Sequence, residues 1–186
     1  MSNTEREKSL LNKIMIFLGG FIGLLGVSQA KNISLSEMGQ GEAFNGRESV
    51  EALVKSLRSH FPAVDPQMIV AMAKIESSFN PTAYRYEKHI DDASIGLMQT
   101  LVKTAQWLYD DMGYKSFGRP SETDLYDPKT SLYFGMAYVN YLQNWKGRAR
   151  SESWIVQSYN GGPNNSNHQT RNHWNKYQKA KRELYA

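Results

Sequence analysis

Apolar residues recur along much of this chain at the spacing of an α-helix. Val50, Leu53, Val54 and Leu57 share one face of a first predicted helix, which ends before Pro62. Apolar residues three and four positions apart are typical of a helix that packs one face against a core. This pattern predicts that the folded part begins just before this helix, near residue 44.

Five more helices are predicted downstream of the first. The second begins at Pro66, because Asp65 can cap the free amide groups of the first turn and proline suits the first helical position. Asn80-Pro81 is expected to stop it. The other four are predicted around residues 103–112, 128–141, 151–158 and 170–184. No segment shows a convincing alternation typical of a β-strand, so the pattern predicts a mainly α fold without internal repeats.

The first 30 residues are typical of a targeting sequence. Basic residues precede an uncharged apolar run from Ile14 to Val27, and small residues follow at the spacing of a signal-peptidase site. This run would form about 21 Å of helix, short of the roughly 30 Å hydrocarbon core of a membrane. We therefore predict a signal peptide over residues 1–30, cleaved after Ala30, with an uncleaved anchor as the alternative. A linker over 31–43 and a single domain over 44–186 would follow.

Composition and charge exclude several classes of protein. The absence of cysteine excludes a lipoprotein acylated on cysteine and a disulfide-stapled secreted domain. The modest excess of 22 Lys and Arg over 18 Asp and Glu is compatible with an anionic partner or with a solvated surface. Basic residues near the C-terminus have helical spacing, so no nucleic-acid partner is expected. His168 and His173 lack a third histidine nearby, and we expect neither a metal ion nor another cofactor.

Glu76 is a polar residue on an apolar helix face. It shares this face with the apolar residues that precede it by three, four and seven positions. Loss of hydration and the carbonyl end of the helix would both raise the pKa of such a carboxyl. A carboxyl that stays protonated near neutral pH can act as a general acid. Helix position alone leaves an alternative open, in which Glu76 reaches solvent or pairs with Lys74 or Arg85.

Three short segments extend this hypothesis: ESSFNP at 76–81, GLMQ at 96–99 and YNGGP at 159–163. In this order they resemble the three motifs of the soluble-type lytic transglycosylases, which carry an SLT domain and belong to the lysozyme-like superfamily. The resemblance covers about residues 60–165. It implies a mainly α, lysozyme-like single domain with a substrate cleft. The substrate would be the glycan strand of peptidoglycan, cut between N-acetylmuramic acid and N-acetylglucosamine to leave a 1,6-anhydro end.

The resemblance also implies roles for residues of the first two motifs. Glu76 would protonate the bridging oxygen and then, as a carboxylate, take the proton of the muramoyl C6 hydroxyl. Ser77 would help to hold the reacting sugar. Gly96 would keep the cleft clear of a side chain. Met98 and Gln99 would line the cleft, the first by apolar contact and the second by an amide hydrogen bond to an N-acetyl group.

In the third motif, the resemblance implies that the hydroxyl of Tyr159 hydrogen-bonds the catalytic carboxylate and that Asn160 supports sugar or loop contacts. Each of these residues has a structural alternative. Met98 and Tyr159 can be core residues, and the glycine pair at 161–162 can be a helix stop. The third motif also departs from the family pattern at Ser158 and Gly161, where alanine is usual.

The interval of 20 residues from Glu76 to Gly96 is longer than is usual in the family. The additional residues are assigned to a charged loop at 84–92, and the aromatic residues in and after it are expected mostly in the helical core. Goose-type lysozymes carry acidic residues in the corresponding loop. Asp91 or Asp92 is therefore a candidate second carboxylate, which would make the enzyme a hydrolase.

A wall-binding module that has lost turnover is the non-enzymatic alternative, although binding alone does not require Glu76. An exported chain would act in the periplasm, in the wall or outside the cell. Peptidoglycan is the expected partner, and the sequence does not indicate a protein partner.

Overall fold

The computed structural model describes residues 44–186. The predicted signal peptide and linker, residues 1–43, lie outside the described residues. The described chain divides into two compact units, residues 44–140 and 141–186. Both are mainly helical, which confirms the predicted fold class. Within residues 44–186, no helix is long and apolar enough to cross a membrane.

The unit 44–140 is built mainly from helices whose positions agree with the apolar pattern. They are α1 (Gly46–Leu57), α2 (Pro66–Ser77), α3 (Val102–Asp110) and most of α4 (Pro128–Gln143), with 3-10 turns at Arg58–His60 and Thr123–Tyr126. Leucine, valine and methionine side chains of α1 and α2 form much of the core, together with an aromatic group in which the rings of Phe61 and Tyr133 lie 5.3 Å apart.

Helix α2 begins as predicted and ends earlier than predicted. The carboxylate of Asp65 accepts a hydrogen bond of 3.0 Å from the backbone N–H of Gln67, and Pro66 is the first helical residue. The helix ends at Ser77, before the expected stop at Asn80-Pro81, because Ser78 adopts the left-handed conformation with φ 54°. Its N–H bonds the carbonyl of Lys74 at 3.0 Å, so one terminal carbonyl is satisfied without continuing the helix.

Three short strands show that the expectation of a chain without β-structure was wrong. Strands β1 (Tyr84–Glu87), β2 (Asp92–Ile95) and β3 (Thr100–Leu101) form an antiparallel sheet in the order β1-β2-β3. In the β1–β2 pair, Glu87 lies opposite Asp92. Every residue of β2 is buried, so this strand lacks the alternation that identifies a half-buried strand in a sequence. The predicted charged loop is therefore a hairpin.

The unit 141–186 contains the end of α4, a 3-10 turn at Trp145–Gly147, α5 (Glu152–Gly161) and α6 (His168–Tyr185). Ser151 caps α5 as its position predicts, accepting a hydrogen bond of 3.2 Å from the N–H of Trp154. An ion pair of 2.6 Å between Lys181 and Glu152 joins the two helices. Most of the other basic residues on α6 are exposed, as predicted for a solvated face.

Candidate active site

Glu76 lies in the last turn of α2, where the helix leaves the core. The residues from Met68 to Ala73 are buried, in agreement with the apolar pattern, whereas Lys74 is exposed and Glu76 is half-buried. Its burial is therefore less complete than the helix pattern predicted. A half-buried side chain at this position keeps part of its surface accessible to a ligand.

The two cations considered as partners of Glu76 have other contacts. The guanidinium of Arg85 forms an ion pair with Glu87 on the same strand. The ammonium of Lys74 lies 5.5 Å from the centre of the Phe79 ring. Neither of these contacts involves Glu76, and the alternative in which Glu76 pairs with one of the two cations stays a prediction.

Ser77 connects the first motif to the second. Its hydroxyl lies 3.1 Å from the carbonyl oxygen of Ala73, one turn earlier, and 3.0 Å from that of Leu97 in the GLMQ segment. A hydroxyl has one proton, so the two carbonyls share it. The bond to Leu97 holds the end of α2 next to residues 96–99. Ser77 thus fixes the segment that contains Glu76, a contact that the sequence did not predict.

Gln99 closes the turn formed by the second motif. Its backbone has φ 46°, and its side-chain nitrogen donates to the carbonyls of Ala83 and Gly96, both at 3.1 Å. The backbone N–H of Gly96 donates to the same Ala83 carbonyl at 2.8 Å. Among the described residues, no donor bonds the side-chain oxygen of Gln99. That half-buried oxygen can accept a hydrogen bond from a ligand N–H, such as that of an N-acetyl group.

Gly96 and Met98 have structural surroundings that differ from the expected ones. Gly96 has φ 73°, and a Cβ atom there would lie 2.2 Å from the carbonyl oxygen of Leu125 and 2.7 Å from the hydroxyl of Ser131. The close approach is therefore to the protein's own chain.

Met98 is fully buried and packs against Gly135 of α4. A Cβ atom on Gly135 would lie 2.5 Å from the Cγ of Met98. Because its side chain is in the core, Met98 does not line a cleft, and that expectation is corrected.

The hairpin is attached to the start of α3 by two reciprocal contacts. The ammonium of Lys103 donates to the carbonyls of Ile90 at 2.9 Å and Asp91 at 2.6 Å. In return, the carboxylate of Asp92 accepts from the backbone N–H of Lys103 at 3.2 Å and from that of Ala93 at 2.8 Å. These bonds fix the hairpin turn and satisfy an amide at the helix N-terminus. Sequence reasoning missed Lys103, because no local pattern indicates its distant partners.

Asp92 is a structural residue in this arrangement. It is buried, and both of its carboxylate oxygens accept backbone hydrogen bonds. This removes it as the water-activating carboxylate of the hydrolytic alternative. Asp91 is exposed at the hairpin turn, with φ 47°, and accepts a hydrogen bond of 2.6 Å from the hydroxyl of Tyr86.

We expect the contribution of Asp92 to stability to decrease as the pH rises. Burial raises its pKa above the ordinary 3.8, and the N–H groups of Ala93 and Lys103 oppose this effect. The folded protein therefore binds a proton at Asp92 more tightly than the unfolded chain does. This contribution to the free energy of unfolding is complete below the pKa of the unfolded state, and it is lost as the pH rises through the pKa of the folded state. Urea unfolding of wild type and Asp92→Asn should show a stability difference, wild type minus variant, that falls from pH 3.8 upwards. A difference that grows with pH would contradict this prediction.

The third motif lies in the unit 141–186, at the end of α5. Tyr159 is buried and Asn160 is half-buried. A Cβ atom on Gly161 would lie 2.4 Å from the methyl carbon of Thr170 on α6. Glycine thus lets α5 and α6 approach closely, which explains the departure from alanine at this position. The functional roles of Tyr159 and Asn160 stay predictions.

Metal-ligand residues are dispersed in the part of the chain that the structure describes. Within residues 44–186, no three histidine, aspartate or glutamate side chains are grouped as a metal ion would require.

Comparisons with known proteins agree with the motif resemblance. A family model described as the transglycosylase SLT domain matches residues 54–183. Membrane-bound lytic murein transglycosylase C of Photorhabdus laumondii subsp. laumondii is 38% identical over 104 residues, which are 53% of this chain and 28% of that protein. The protein of the same name from Yersinia enterocolitica serotype O:8 is 39% identical over 104 residues, 53% of this chain and 27% of that protein. The matched region thus spans less than a third of these curated relatives.

Proposed function

Because this chain belongs to the transglycosylase SLT domain family, we propose that it is a peptidoglycan lytic transglycosylase. It cleaves the β-1,4 bond between N-acetylmuramic acid and N-acetylglucosamine and leaves a 1,6-anhydromuramoyl end. The observation that carries this proposal is the hydrogen bond of 3.0 Å from Ser77 to the carbonyl of Leu97. It holds the segment with Glu76 beside the turn that presents Gln99.

Glu76 moves both protons of the proposed reaction. As an acid it donates its proton to the bridging oxygen, so the bond from C1 to that oxygen breaks and the leaving sugar departs with a hydroxyl group. As a carboxylate it then accepts the proton of the muramoyl C6 hydroxyl while that oxygen bonds to C1. The acid is regenerated, no water is consumed, and no metal or cofactor is required. The half-buried position of Glu76 supports this role, since the carboxyl must reach the substrate.

Gln99 is proposed to bind an N-acetyl group through its side-chain oxygen. Its nitrogen is held by the carbonyls of Ala83 and Gly96, which orients the amide and leaves the oxygen for the sugar N–H. Ser77 and Gly96 act through the protein, by joining the two motifs and by allowing the turn to pack. The roles that the family resemblance implies for Tyr159 and Asn160 stay predictions.

We propose that the protein acts in the cell envelope, where peptidoglycan is found. The two relatives compared above are named membrane-bound murein transglycosylases. A signal peptide over residues 1–30, cleaved after Ala30, would export the chain to this compartment.

Analysis of the released products tests the reaction. We expect the purified full chain to release muropeptides with 1,6-anhydromuramoyl ends from purified peptidoglycan, each lighter by one water than the hydrolytic product. Mass spectrometry before and after borohydride treatment distinguishes them, because only a free reducing end is reduced. Reducing ends throughout would show a hydrolase instead, and binding without release would show a wall-binding module.

A further inference from the structure

Two large aromatic side chains of the hairpin are exposed to solvent. Tyr84 and Tyr86 of β1 have 43% and 52% of their surface accessible, although the sequence placed such residues mainly in the core. They are two positions apart on a strand, so they point to the same face of the sheet, about 7 Å from each other. Two neighbouring exposed aromatic rings are a feature that often marks a binding surface.

Tyr86 is held in place although its ring is open to solvent. Its hydroxyl donates a hydrogen bond of 2.6 Å to the carboxylate of Asp91. This bond is the largest cause of the raised pKa of Tyr86, so the phenol stays neutral. The backbone carbonyl of Asp91 is in turn fixed by Lys103. A ring oriented before binding loses less side-chain entropy when a ligand stacks on it.

A third tyrosine lies on a neighbouring segment, since the residues before it and before Tyr84, Leu125 and Ala83, both approach Gly96. Tyr126 is half-buried at the end of the 3-10 turn Thr123–Tyr126. Burial is the largest cause of its raised pKa, followed by the charge of Glu122 and by Tyr84. We refer to Tyr84, Tyr86 and Tyr126 as the tyrosine surface.

The tyrosine surface is continuous with the turn of the second motif. Ala83, which directly precedes the first tyrosine, accepts hydrogen bonds from the backbone of Gly96 and from the side chain of Gln99. Leu125, which directly precedes the third, packs its carbonyl against Gly96. The two segments that carry the tyrosine surface are therefore attached to the turn of Gln99, one on each side of Gly96.

We propose that the tyrosine surface is a glycan-binding subsite, which binds sugar units of the same strand on one side of the bond that is cleaved. This inference rests on the proposed function. A pyranose ring has an apolar C–H face that stacks on an aromatic ring, and hydroxyl groups at its edge that bond to phenols. Two exposed rings about 7 Å apart can provide two stacking contacts to one glycan strand.

Binding measurements in a non-cleaving chain test the subsite. In the Glu76→Gln background, the double variant Tyr84→Ala/Tyr86→Ala should bind soluble peptidoglycan glycan fragments about tenfold more weakly by calorimetry, as expected for two lost stacking contacts. Tyr86→Phe keeps the ring and should bind within about twofold of the parent. Tyr109→Ala is the matched control, because Tyr109 is a partly exposed tyrosine on α3, outside the tyrosine surface. It should leave the affinity unchanged.

The steady-state kinetics of the chain with Glu76 intact give a second measurement. With soluble glycan oligomers, the double variant should raise KM while kcat stays within about twofold, since remote stacking contributes ground-state and transition-state binding alike. A double variant that keeps the fold by circular dichroism and retains parental affinity and KM would overturn the subsite. If the double variant does not fold, the affinity and KM of the single variant Tyr86→Ala test the subsite. Tyr86 is the more exposed of the two side chains, so its removal disturbs the fold less.

Failure of the subsite and failure of the proposed function give different results. A parent chain that neither cleaves nor binds glycan refutes both. Normal cleavage together with unchanged binding by the double variant refutes the subsite alone. Sedimentation that shows a dimer of the parent, lost in the double variant while glycan affinity is retained, would assign the surface to self-association and also overturn the subsite.

Discussion

Replacing Glu76 by glutamine is expected to lower the rate of peptidoglycan cleavage by about 10³-fold or more. The amide has nearly the size of the carboxyl and can donate hydrogen bonds, but it cannot transfer a proton to the bridging oxygen or accept one from the C6 hydroxyl. Because one group serves both steps in the proposed mechanism, no second carboxyl compensates for its loss. The half-buried position at a helix end means that the substitution should leave the fold intact.

The release of soluble muropeptides from purified peptidoglycan measures this loss. Wall binding by co-sedimentation and thermal unfolding should change little, which separates lost chemistry from lost structure. Glu48→Gln is the matched control, since Glu48 is an exposed glutamate on α1 with a hydrogen bond to Asn45, and it should cleave at the wild-type rate. Undiminished release by Glu76→Gln would refute the assignment of the acid.

Replacing Gly96 by alanine is expected to lower the free energy of unfolding by about 2–5 kcal/mol. Two costs add at this position. The backbone has φ 73°, a left-handed conformation that costs a residue with a Cβ atom about 1–2 kcal/mol. The new methyl group would also lie 2.2 Å from the carbonyl oxygen of Leu125, so the turn or the adjoining 3-10 helix must move. Overpacking of this kind costs about 1–3 kcal/mol.

Gly113→Ala separates these two costs. Gly113 has φ 80°, and a Cβ atom there would have no other heavy atom within 4 Å. Only the conformational cost applies, so its loss of stability should be about 1–2 kcal/mol. Urea unfolding followed by circular dichroism measures both variants. Equal destabilisation by the two substitutions would contradict the contact between Gly96 and Leu125 as a source of the larger effect.

The start of α2 shows which parts of the fold were predictable. Asp65 and Pro66 identify the first turn, because a cap bonds an amide only two residues away and proline presets its own φ. The end of the same helix was predicted less well. It depends on the left-handed conformation of Ser78, a residue type with no strong preference for it. Local chemistry thus determines a boundary only where the residue type strongly restricts the backbone.

The hairpin shows why the remainder was not predictable. A strand of four residues provides too little pattern to be distinguished from a loop, and its hydrogen bonds are made to another segment. The clamp between Asp92 and Lys103 joins residues 11 positions apart, and the bond from Met98 to Ser131 joins residues 33 apart. Pairings of this range depend on how the chain folds back, which no local window contains.

The sequence by itself determined the mainly α fold, the helix starts and the three motifs that indicate the family, because these depend on residue type and on short spacings. The tertiary structure decided what the motif residues contact. It assigned Met98 to the core and Asp92 to the hairpin clamp, and it exposed the tyrosines of β1. It also brought Ser77 to the carbonyl of Leu97, 20 residues away, which holds the proposed acid next to Gln99. Such contacts arise from burial and packing between distant segments, and these are properties of the folded chain.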